Sequence, residues 1–193
     1  MEEKKLSFPS VEQLEQELKK EKYKKSYWKT FRSTVYLIIV VVAVAVILSM
    51  LILPVMRISG SSMADTLMDK DIVVAVNDHK YKTGDIIGFY YNNNVLIKRV
   101  IAVSGDWVDI DEEGNVFVNG IKLDEPYITD RSKGECTIKL PYQVPEGRCF
   151  VMGDHRSVSI DSRNREMGCI SDEFIIGRLI FRIWPIAGIG LIK

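Results

Sequence analysis

Three serines, Ser59, Ser61 and Ser62, stand in ISGSSMADTL (residues 58–67), directly after a long apolar run. A serine hydroxyl becomes a nucleophile only when a neighbouring base takes its proton. The chain has two histidines, His79 in NDHKYKTGD and His155 in GDHRS. Both sit in polar, turn-like stretches where a surface or structural role is the simpler reading. A neutral lysine can replace histidine as the base, and Lys98 lies inside the apolar stretch VLIKRVIAV. Strand alternation puts Leu96, Lys98 and Val100 on one face and Ile97, Arg99 and Ile101 on the other. An amine among apolar side chains loses solvation, which lowers its pKa. Taken singly, the serines also fit an ordinary polar turn, and Lys98 fits a lysine reaching water from a strand edge.

The elements around these residues are distinct in kind. Ser33 to Met56 contains no charged residue, and Val35–Met56 supplies 22 consecutive positions of mainly apolar character. At 1.5 Å per residue a helix of that length is about 33 Å long, against a bilayer core of about 30 Å. A cleaved signal peptide has an apolar stretch of only about 7–15 residues nearer the N-terminus. Ala43-Val44-Ala45 resembles a cleavage site but lies in mid-span, so residues 33–56 are expected to be a retained anchor. Between Lys19 and Arg32 there are seven basic residues and one acid, Glu21. This excess predicts a cytoplasmic N-terminus and an extracytoplasmic remainder.

Residues 1–32 read as a short cytosolic segment in which Ser10 and Gln13 form a capping box. Residues 57–193 read as mostly β. DIVVAV, DIIGFYY, VLIKRVIAV, WVDI, NVFVNGIKL, CFVMG and FIIGRLIFRIW are short runs rich in β-branched and aromatic residues. Asn119-Gly120 and DEEGN are hairpin signals, and Gly-Asp pairs mark further turns. The fold class expected is mainly β: an antiparallel, barrel-like domain behind one transmembrane helix. IWPIAGIGLI, interrupted by Pro185, is too short for a second span and reads as a terminal strand able to touch lipid.

Composition narrows the partners. Residues 1–32 carry nine Lys/Arg and six Glu, a balance of +3, which leaves −3 elsewhere in a chain of net charge zero. Neither part is basic enough to point to nucleic acid. Cys136, Cys149 and Cys169 lack metal-ligand spacing, and neither a metal nor a cofactor is expected. One disulfide with a free thiol, or three unpaired cysteines, both fit.

GSSM, KRVIAVSGD and GDHRSVSIDSR, in that order behind an N-in anchor and with GDIIGF and GRLIFRIWP around them, resemble the type I signal peptidases. Those are membrane-anchored endopeptidases that use a serine–lysine dyad. The resemblance spans the anchor and nearly all of the external domain. It implies that Ser62, directly before Met63, is the nucleophile and that Lys98 is the general base. It also implies that Ser159 hydrogen-bonds the lysine amine. Asp161 and Arg163 would form a supporting ion pair with Asp154 nearby. Three positions depart from the pattern. Asp65 replaces the usual proline, Gly60 stands where some members carry a hydroxyl oxyanion donor, and His155 replaces asparagine. With glycine at position 60 the oxyanion depends on backbone N–H groups, that of Ser62 included, or on water.

The implied substrates are secretory precursors with small residues one and three positions before the cut. Their extended segment would pair with a strand edge, either just before Ser62 or in DIIGFYY. A silent membrane-anchored β-domain assisting secretion or surface-protein assembly is the competing reading. A self-cleaving repressor is excluded by the membrane span and by the lack of a helical DNA-binding domain.

Overall fold

The computed structural model describes residues 11–64, 66–77 and 80–192, with the backbone alone for 48–52. Ser10, Asp65 and His79 lie outside the described residues. The chain divides into two compact units, Met1–Ser49 and Met50–Lys193.

The first unit is dominated by one helix, α1 (Val11–Ile52). From Val11 onward the lysine-rich segment and the apolar run are therefore one continuous helix, without a break near residue 32. Its described side chains are exposed from Val11 to Ile47, and an 18-residue window reaches a mean hydropathy of 2.3. A helix apolar on every face and covered by no protein suits lipid as its surroundings. The helix stops at Ile52, earlier than the apolar run does. Pro54 disfavours helical geometry at the residue before it, and Val55 and Met56 belong instead to a short strand.

That strand, β1 (Val55–Arg57), starts the larger of two antiparallel sheets in the second unit. The others are β2 (Ile72–Val76), β3 (Ile86–Tyr91), β4 (Asn94–Ala102), β9 (Arg148–Met152), β10 (Ile170–Ser171), β11 (Ile175–Trp184) and β12 (Gly190–Leu191). The strand order is β1-β2-β11-β3-β4-β9-β10, with β12 on β11. The smaller sheet contains β5 (Trp107–Ile110), β6 (Val116–Val118), β7 (Ile121–Lys122) and β8 (Tyr142–Gln143), ordered β7-β6-β5-β8. The mainly β, antiparallel class expected from the sequence is correct. The large sheet does not close into a barrel, since β1 and β10 are not paired with each other.

Local sequence explains much of this register. Asn119 and Gly120, at φ of 54° and 78°, make the tight connection from β6 to β7. Asn92 and Asn93, both at positive φ, do the same between β3 and β4. Three buried apolar clusters follow. Ile101, Val108, Val116 and Phe150 join the two sheets. Ile58, Met63, Leu67 and Val73 pack under the serine-bearing turn. Ile87, Phe89, Val100 and Val151 fill the centre of the large sheet.

Candidate active site

Ser62 is placed by its neighbours. Ile58 and Met63 are buried in one cluster, as is Leu67, and each such side chain contributes roughly 1.5–3 kcal/mol on leaving water. The turn between them is closed by the Ala64 N–H to the Ser61 carbonyl at 3.0 Å and the Leu67 N–H to the Met63 carbonyl at 2.8 Å. Ser59 and Ser61 are consequently exposed, while Ser62 is half-buried. The Ser62 carbonyl accepts the His155 N–H at 3.1 Å, which seats the turn on the loop after β9. Among the described residues, the Ser62 hydroxyl and its N–H have no hydrogen-bond partner.

Gly153 makes this seating possible. A Cβ at that position would lie 2.3 Å from Ser159 Oγ and 2.5 Å from the Ser62 carbonyl oxygen. Only a residue without a side chain lets the two serines share the space where its Cβ would stand. The sequence marks Gly153-Asp154 as a turn, with no sign of this packing role.

Lys98 lies on β4 opposite Ile87 of β3 and is 3% exposed. Its amine donates to Ser159 Oγ at 2.9 Å. It is therefore not a lysine reaching water from a strand edge. Burial lowers its pKa from 10.5 to about 8. Asp161 pulls the value up and Arg163 pulls it down, with a further upward pull from Asp154. Because Arg163 is forked onto Asp161 through Nε and Nη2, both at 2.8 Å, that pair presents nearly balanced charge to the amine and desolvation dominates.

Asp154 has a different partner. Arg99, next to Lys98 but on the opposite face of β4, donates to both its carboxylate oxygens, at 2.9 and 2.7 Å. Thr66 Oγ1 donates to the same carboxylate at 2.5 Å. Where the family pattern has proline near Asp65, the following residue is held instead by Asp154 and by Arg182, which donates to the Thr66 carbonyl at 2.6 Å. Gly60 has φ of 95°, and its N–H donates to Asp69 Oδ1 at 3.2 Å. A hydroxyl residue there would be strained, because side-chain-bearing residues rarely take that φ. Among the described residues of the turn, the Ser62 N–H is an unengaged backbone donor, as are those of Ser61 and Met63. His155 contributes its backbone, while its Nδ1 is buried without a partner.

The structure brings Ser62, Lys98 and Ser159 around Gly153, with Asp154, Asp161 and Arg163 behind them. Sequence reading missed three residues here, the buried Arg156 and Glu125 and the half-buried Tyr127. Arg156 lies within the GDHRSVSIDSR block and could have been singled out there. Glu125 and Tyr127 carry no local signal, since their partners are distant in sequence. Cys136, Cys149 and Cys169 are all unpaired, and burial raises the thiol pKa of Cys149 to about 12 and that of Cys169 to about 11. Among the described residues no group of His, Cys, Asp or Glu is disposed to hold a metal.

A half-buried serine hydroxyl and a buried amine held by a second serine are side chains of the kind that acyl transfer uses. The chain belongs to the signal peptidase family, peptidase S26, whose model matches residues 31–184. It is 39% identical to signal peptidase IB of Staphylococcus aureus strain COL, over 66% of this chain and 76% of that protein. It is 42% identical to the chloroplastic thylakoidal processing peptidase 1 of Arabidopsis thaliana, over 50% of this chain and 26% of that protein. A crystal structure of a signal peptidase I from Enterococcus faecalis overlaps 52% of this chain and 97% of its own, at 28% identity and a TM-score of 0.45. The protein is therefore a peptidase, and signal-peptide removal is the activity that membership supports. With one apolar N-terminal helix, it is a single-pass membrane protein.

Proposed function

We propose that this peptidase is a serine–lysine enzyme that cuts signal peptides from secretory precursors outside the cytoplasmic face of the membrane. Ser62 Oγ attacks the scissile carbonyl while neutral Lys98 takes its proton. The tetrahedral oxyanion draws on the Ser62 N–H. The C–N bond then breaks as the Lys98 ammonium gives its proton to the leaving amine. A water, deprotonated by Lys98, attacks the acyl-serine, and the proton returns to Ser62 as the signal peptide leaves.

The single observation carrying this reading is the buried Lys98 amine, held by Ser159 and lowered to about 8. At pH 7 such an amine is neutral in about one molecule in ten, against roughly one in three thousand for a free lysine. Two of the strand edges among the described residues lead to Ser62 or Lys98 and suit the precursor. One is the outer edge of β1 leading to Ser62. The other is β4 from Asn94 to Lys98, because pairing with β9 begins only at Arg99. DIIGFYY is not an edge, since β3 is flanked by β4 and β11. The basic flank before the span supports a cytoplasmic N-terminus.

The test is cleavage of a precursor, with the product's new N-terminus sequenced. Ser62→Ala should abolish cleavage in a folded protein, whereas Ser61→Ala should keep most of it. Lys98→Arg should be as inactive as Lys98→Ala, because a guanidinium stays protonated. An active Lys98→Arg enzyme, or an inactive Ser61→Ala beside an active Ser62→Ala, would move the assignment to other residues.

A further inference from the structure

Glu125 is 1% exposed, yet it lies in an irregular segment between β7 and β8, far in sequence from the catalytic loop. The segment is tied to the small sheet by the Leu123 N–H to the Val116 carbonyl at 2.8 Å. Glu125 meets Arg156, also 1% exposed, through Oε1 at 2.5 Å and Oε2 at 3.4 Å. The Arg156 Nε donates onward to the Gly153 carbonyl at 3.0 Å. Tyr127 donates its hydroxyl to Glu125 Oε1 at 3.1 Å, and its ring faces the Arg99 guanidinium, 3.8 Å from its centroid. Arg99 in turn holds Asp154. Two chains of contacts thus leave Glu125 and arrive at adjacent residues, Gly153 and Asp154.

Those two residues, with His155, form the floor on which Ser62 sits. We propose that Glu125, together with Tyr127, is a positioning residue of the active site, fixing that floor through Arg156 and Arg99. The proposal rests on the assignment of Ser62 and Lys98 above. Gly153 is packed closely against both serines, since a Cβ there would lie within 2.5 Å of each. A misplacement of about 1 Å can cost on the order of 100-fold in rate. The small sheet thereby acquires a task in the reaction, since it carries the segment that sets the nucleophile's seat.

A purely structural pair would affect stability alone, and the experiment separates the two. Precursor cleavage is measured with the full chain in detergent, alongside thermal unfolding. Glu125→Gln should lower kcat about 10- to 100-fold, with KM within about twofold, because the loss falls on alignment and not on binding. Tyr127→Phe removes one hydrogen bond, so the melting temperature should fall by only about 2–4 °C while kcat falls several-fold. In Glu125→Leu/Arg156→Met, two apolar chains replace the buried pair, an exchange that is often neutral or stabilising. Stability should return while kcat stays low, because Gly153 has lost its donor. A double variant with kcat restored along with stability would overturn the proposal. Wild-type kcat in both single variants would do the same. Should the double variant not fold, Tyr127→Phe decides alone: a reduced kcat supports the proposal and a wild-type kcat overturns it. Ser62→Ala is run in parallel. If it is inactive while Glu125→Gln is normal, only the positioning role fails. If it is active, the nucleophile assignment fails instead.

Discussion

Replacing Lys98 by methionine should inactivate the protein and at the same time make it more stable near neutral pH. The amine's pKa falls from 10.5 to about 8 on folding, chiefly through burial. At about 1.36 kcal/mol per pH unit, this is a cost of about 3 kcal/mol. Below pH 8 the lysine is protonated in both the folded and the unfolded chain, so the folded state bears the full cost. Between pH 8 and 10.5 the folded chain has released its proton and the unfolded chain has not, so stability rises with pH. Above 10.5 both forms are neutral and the cost has gone.

Methionine has similar length and no charge to desolvate. It also gives up the hydrogen bond to Ser159, a loss of about 1 kcal/mol. The net gain below pH 8 is then about 2 kcal/mol, or about 4–8 °C in melting temperature for a domain of this size. It should shrink through pH 8–10.5 and reverse above that, where only the lost hydrogen bond remains. Thermal unfolding of both proteins in detergent from pH 6 to 11, plotted as a difference, isolates Lys98 from other titrating groups. A methionine variant less stable than wild type at pH 6–7, or a difference independent of pH, would refute the desolvated-amine argument.

Two further outcomes follow from the same geometry. Gly153→Ala should reduce precursor cleavage by at least about 100-fold, since its Cβ must push Ser159 or the Ser62 backbone aside by a good part of an ångström; near-normal turnover would show that the site is not held so tightly. Protease added to cells stripped of their wall should digest residues 57–193 and spare the lysine-rich segment before Val35; protection of the β-unit would reverse the topology drawn from the basic flank.

The sequence by itself determined the parts governed by near neighbours. Twenty-two uncharged positions of membrane length, β-branched runs and the Asn119-Gly120 turn each act over a short stretch of chain, and they define an antiparallel β-unit behind an apolar helix. Even there, Pro54 gave Val55 and Met56 to β1, because strand pairing with β2 outweighed apolar continuity. Ordered motifs also named Ser62, Lys98 and Ser159, since residue type and order survive in the chain without its folding.

Tertiary structure decided what depends on residues distant in sequence. Whether Lys98 is solvated turns on how β3, β4 and the Ser159 loop close over it, and burial is the main cause of its lowered pKa. Asp154 is joined to Arg99 across 55 positions and Arg156 to Glu125 across 31. Local spacing carries no record of such pairings. They exist because a buried guanidinium must find an acceptor wherever the fold brings one, and that requirement is met only once both sheets are in place.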